Sequence, residues 1–84
     1  MSEVAIGKVS DFFARPLVAG VELTAPLKLG DRIHIVGHTT NIESTVESIQ
    51  INNTDTKEAK AGDAIGIKVN DRVRRGDTVY KVTD

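Results

Sequence analysis

One five-residue pattern occurs three times in this 84-residue chain and limits how it can turn. Leu27-Lys28-Leu29-Gly30-Asp31, Ala59-Lys60-Ala61-Gly62-Asp63 and Val73-Arg74-Arg75-Gly76-Asp77 each read apolar, basic, any residue, Gly, Asp. Each precedes a strand whose first inward residue (Ile33, Ile65 or Val79) lies two positions after the Asp. Glycine supplies a positive φ, and the Asp carboxylate can accept from nearby backbone N–H groups as the strand begins. The three glycines lie 32 and 14 residues apart, so this is reused turn chemistry and not a solenoid repeat. Three such corners in so short a chain favour a barrel.

Between the corners the apolar residues alternate with period two, the signature of strands with one buried face. Leu17, Ala19, Val21 and Leu23 share a face, Ile33 and Ile35 alternate with Arg32 and His34, and Ile65, Ile67 and Val69 alternate with Gly66 and Lys68. Six strands are expected, over 4–10, 17–23, 32–36, 42–51, 64–69 and 78–82. In the fourth, Ile42, Ser44 and Val46 share one face but Ile49 and Ile51 share the other. A bulge at Glu47-Ser48 accounts for that phase shift. Bulges help to close a small sheet, and closure removes exposed edges. The expected fold is therefore all-β: one domain over 1–84, a small six-stranded closed barrel. The stretch 52–57 contains no apolar residue and is expected to be an exposed loop.

Composition supports strands and narrows the function. The apolar set is dominated by Val and Ile, with Phe12, Phe13 and Tyr80 as the aromatics. Cysteine is absent, which rules out disulfides, thiolate nucleophiles and Cys-based zinc sites and points to the cytoplasm. No apolar run reaches the roughly 18 residues of a membrane span, and no secretion signal pattern opens the chain. A net charge of −1 argues against coating nucleic acid by bulk electrostatics.

Catalytic constellations are missing: there is no nucleophile elbow, no GxxxxGK phosphate loop and no GxGxxG. Asp31, Asp63 and Asp77 are accounted for by turns. His34 and His38 lie four apart, but Gly37 interrupts the strand between them and no third ligand is placed by spacing, so no metal site is expected. Arg75-Gly76-Asp77 spells an adhesion tripeptide, yet the same Gly-Asp recurs twice without it, so turn geometry explains it. No catalytic residue or cofactor is expected. The binding signal is a run of four cations, Lys68, Arg72, Arg74 and Arg75, within eight residues, which could contact RNA phosphates or an acidic protein surface. Phe12 and Phe13 are adjacent, so one of them is expected to face outward.

Pro26-Leu27-Lys28-Leu29-Gly30-Asp31-Arg32-Ile33-His34-Ile35-Val36-Gly37 resembles the LKxGDxhxhxG hairpin in domain 2 of elongation factor Tu and related translational GTPases. The resemblance continues through Val46-Glu47-Ser48-Ile49-Gln50, the second corner up to Ile67, and Val73 to Tyr80. It implies the translation-factor domain 2 type of barrel. A similar barrel is appended to some collagenase-like peptidases, and the nearest resemblance is to stand-alone translation elongation factor-like proteins of this length, whose function is unknown. In the translation factors the barrel packs on a GTPase domain and helps to contact ribosomal RNA or the aminoacyl end of tRNA. Here no GTPase domain is present, so nucleotide binding is not implied. Phe13-Ala14-Arg15 stands where those factors often carry Gly-Arg-Gly. The positions of their aminoacyl pocket correspond to Gln50, Ile51, Asn52 and Asn53, with charge and bulk reduced, so aminoacyl-tRNA binding of that kind does not carry over.

The expected role is a non-catalytic cytoplasmic binding module that docks on RNA, a ribonucleoprotein or a protein partner through Lys68, Arg72, Arg74 and Arg75. The alternative is an accessory or assembly domain for a separately encoded enzyme such as a collagenase-like peptidase. Oligomeric state is not readable from the sequence.

Overall fold

The computed structural model describes residues 2–15 and 17–83. Among them are ten strands: β1 (Ser2–Phe13), β2 (Val18–Leu23), β3 (Leu27–Lys28), β4 (Arg32–Val36), β5 (Asn41–Thr45), β6 (Ile49–Ile51), β7 (Thr54–Thr56), β8 (Glu58–Ala59), β9 (Ala64–Lys68) and β10 (Thr78–Thr83). Eight form one antiparallel sheet in the order β5-β4-β10-β1-β2-β9-β6-β7, and β3 pairs with β8 separately. The alternation read from the sequence sets the core: Ala19, Val21 and Leu23 of β2, Ile33 and Ile35 of β4, and Ile65 and Ile67 of β9 are all buried. Phe12 packs against this core while Phe13 stands in solvent, 54% exposed.

All three corners form as the pattern predicts. Gly30, Gly62 and Gly76 have φ of 91°, 94° and 93°. In each turn the Asp N–H donates to the carbonyl of the basic residue, from Asp31 to Lys28, Asp63 to Lys60 and Asp77 to Arg74, at 3.1–3.2 Å. The Asp carboxylate accepts in return from the N–H of that basic residue, at 3.0, 3.0 and 2.8 Å. Each corner then grips one buried residue elsewhere by both of its backbone groups. The corner Gly donates to its carbonyl and the Asp carbonyl accepts from its N–H: Val46 at the first corner, Leu23 at the second and Val9 at the third, at 2.8–2.9 Å. One motif thus makes the turn and ties it to a distant strand end, and it satisfies backbone groups that burial would otherwise strand.

The described residues form ten strands where six are expected, and three further expectations need correction. The fourth strand is two strands, because β5 pairs with β4 whereas β6 pairs with β9 and β7. The phase shift at Glu47-Ser48 marks that hand-over and not a bulge. Residues 46–48 carry the chain from β5, at one end of the sheet order, to β6, next to the other end, a span of at most about 14 Å from 45 to 49, so the sheet must curl round on itself. The barrel is not closed by a ladder, however: among the described residues the order ends at β5 and β7, because Val46 gives its backbone bonds to the Gly30-Asp31 corner. The bulges lie in β1 instead, where the register shifts between Ala5 and Gly7 against β10 and between Val9 and Asp11 against β2. Finally, 52–57 is not a loop. Ile51 pairs with Thr54 across Asn52-Asn53, whose φ of 54° and 63° make the two-residue turn of a hairpin.

Candidate functional site

The four cations singled out by the sequence sit on β9 and on the connection that follows it. Arg72, Arg74 and Arg75 share the connection between β9 and β10, while Lys68 lies on β9 in a cleft of about 520 Å³. That cleft is also lined by Arg32, Glu43, Glu47 and Asn70, so its charges are mixed. A guanidinium nitrogen of Arg75 lies 3.8 Å from the Asp11 carboxylate. The backbone N–H of Arg72 donates to Asp71, and that of Arg74 to Asp77. The Asp77 carboxylate is nearly buried, which removes the third corner from any adhesion role.

A polar cluster that spacing along the chain does not suggest spans three strands. On β4, His34 Nδ1 lies 2.9 and 3.0 Å from the two carboxylate oxygens of Glu3 on β1, with β10 between them in the sheet. Its Nε2 meets the side-chain oxygen of Asn41 on β5. Acceptors at both ring nitrogens favour the doubly protonated imidazolium, and the Asn41 contact and then Glu3 raise the His34 pKa above its ordinary value. The ligand atoms of Glu3, His34 and Glu43 lie within 4.8 Å of one another, but a metal would need the neutral imidazole, which these acceptors disfavour. Arg32 sits 3.6 Å from Glu43 at the same place. His38, exposed in the turn between β4 and β5, takes no part.

The concavity with a defined chemical character lies on the outer face of β2, β9 and β6. Gly20 and Gly66 face each other across the β2–β9 ladder, so the outer surface there lacks two side chains. The resulting cleft, about 470 Å³, is lined by Phe13 at the end of β1 and Arg15 from the β1–β2 turn, Val18, Gly20, Ala64, Ile65 and Gly66, and Gln50, Asn52 and Asn53 from the β6–β7 hairpin. Leu17 holds the β1–β2 turn at a φ of 71°, with its N–H donating to the Phe13 carbonyl at 3.1 Å. Gln50 is fixed by a 3.0 Å bond from its amide to Asp55. Thus 13–15 and 50–53, noted separately in the sequence, line one site. The two outward glycines are the sequence signal that could have shown its floor, but their pairing depends on register.

Curled all-β architecture, Gly-Asp corners and an outer-face cleft between the β1–β2 turn and the β6–β7 hairpin define a barrel-type module. The profile of Elongation factor Tu domain 2 matches residues 26–80, and the chain belongs to that family. An uncharacterised protease of Methanocaldococcus jannaschii is 46% identical over 79 residues, covering 93% of this chain but 19% of that protein. The chain therefore spans about a fifth of the length of the curated relative it matches. Among solved structures, the C-terminal domain of a Geobacillus thermoleovorans protein assigned to the U32 peptidases superposes with a TM-score of 0.88 at 17% identity, covering 94% of this chain and 92% of that one. The selenomethionine variant of the same domain gives 0.85 at 16% identity, covering 90% and 96%. At these identities the structural likeness is one of fold. Among the described residues no helix is long and apolar enough to cross a membrane.

Proposed function

We propose that this chain is a non-catalytic accessory domain that works beside a peptidase body in the cytoplasm. The observation that carries this reading is the 46% identity to a protease over nearly the whole chain while covering only 19% of that protein. The rest of that relative is long enough to hold a catalytic domain of its own. The fold neighbours support the same division of labour, since each is the C-terminal domain of a protein assigned to the U32 peptidases. The cationic residues Lys68, Arg72, Arg74 and Arg75 serve here as part of a protein contact. Acidic neighbours at Lys68 and Arg75 suit a mixed-charge interface better than a polyphosphate.

Recovery of the tagged chain from cells that express it, with ribonuclease present, tests this. A peptidase related to the M. jannaschii protein is expected in stoichiometric amount. Recovery with ribosomal RNA that ribonuclease or salt removes, and with no peptidase, would overturn the reading. Reversing charge at Arg74 and Arg75 is expected to weaken the peptidase association and leave the thermal midpoint unchanged.

A further inference from the structure

The cleft beside Phe13 combines an apolar floor with a single cation. Gly20 and Gly66 provide the flat centre, flanked by Val18 and Ala64, and Phe13 offers an exposed ring at the rim. Among the described residues Arg15 is the only charged one that lines it, and no carboxylate of theirs lies within ion-pair distance of Arg15. The remaining polar groups, Gln50, Asn52 and Asn53, carry amides, which can donate to and accept from peptide groups. The larger cleft at Lys68 offers no comparable selection, since two cations there face two carboxylates.

We propose that this cleft binds the C-terminal residue of a peptide, with an apolar side chain over the Gly20–Gly66 floor against Phe13 and the free carboxylate on Arg15. The complement of one cation above apolar ground is a monoanion with an apolar body. A phosphodiester chain would need several cations in line to release its counterions, and this site has one. A guanidinium matches a carboxylate in two parallel hydrogen bonds. The volume of about 470 Å³ suits a residue or two and falls within the usual range for small-ligand sites. The source of such ligands rests on the accessory-domain reading, because each peptide bond hydrolysed by a peptidase adds water across it and leaves a new C-terminal carboxylate.

The test is a nitrogen-15 NMR titration of the 84-residue chain with N-acetyl-Ala-Leu, its C-terminal amide and adenosine monophosphate. Shifts are expected at Gly20, Gly66, Asn52 and Asn53, with the free acid binding about tenfold tighter than the amide. Arg15→Gln is expected to erase that preference, while Phe13→Ala weakens both peptides alike. Both side chains are exposed, so neither change threatens the fold, and a thermal melt checks this. Equal binding of acid and amide, tighter binding of the nucleotide, shifts outside the cleft, or no binding up to tens of millimolar would each overturn the proposal. None of those results bears on co-purification with a peptidase, so the two readings fail separately.

Discussion

The second and third corners have the same sequence pattern, the same turn and the same double grip on a distant residue, yet their carboxylates occupy different surroundings. Asp63 lies half-buried near β8, while Asp77 is 5% exposed. Gly37, the first residue after β4, makes the difference: a Cβ there would collide with the Asp77 carboxylate. The comparison separates two things that look alike in sequence. The pentapeptide dictates the turn, but what packs over it dictates how much the fold depends on it.

The largest expected contrast comes from removing the two carboxylates in turn. Asp77→Ala should cost about 3 kcal/mol in urea denaturation, because a charged hydrogen bond is lost where water cannot replace it, and Asp63→Ala about 1 kcal/mol. Equal losses would break the comparison. Gly37→Ala should cost about 2 kcal/mol by forcing the Asp77 side chain out of place. In an Asp77→Ser background that cost should shrink, and additive losses would show that Gly37 matters for another reason. Gly62→Ala and Gly76→Ala should cost the same, about 1–2 kcal/mol each, since both residues share a φ near 93° and a Cβ at either meets nothing. A clear difference between them would mean that burial reaches the turn's backbone as well as its side chain.

The smallest effect belongs to a contact that no corner makes. His34 gains its acceptors on folding, so its folded pKa lies above the unfolded value of about 6.5. Its contribution is therefore fully present below that value and is lost as pH rises through the folded pKa. Stability should fall slightly across that window, and Asn41→Leu or Glu3→Gln should flatten the slope. Chemical denaturation at a series of pH values measures it. A slope unchanged in His34→Gln would assign it to other groups.

Much of the fold is legible along the chain. The strand 32–36 is where alternation puts it, and those at 64–69 and 78–82 differ by a residue. All three turns form with the φ and the carboxylate cap that Gly-Asp implies. The phase shift at Glu47-Ser48 was visible too, but periodicity records only that a face changes, and a bulge and a change of neighbouring strand leave the same mark. Asn52-Asn53 hid a hairpin because β7 is polar on both sides and leaves no alternation to read. The cleft was legible only as parts: one outward residue of the Phe12-Phe13 pair, Arg15, Gly66 on an outer face and the 50–53 segment. The cationic run was legible as charge but not as surface, since Asp11, Glu43 and Glu47 come to it from elsewhere in the chain.

The sequence alone determined that this chain is all-β, where its three Gly-Asp corners turn and which residues of the alternating strands face inward, because those depend on neighbours two to five positions away. Only the tertiary structure decided which strands lie side by side, that the sheet curls without a closing ladder, that Gly20 meets Gly66, and that Asp77 is sealed under Gly37. Those outcomes depend on register and packing between segments tens of residues apart, and no local pattern encodes them.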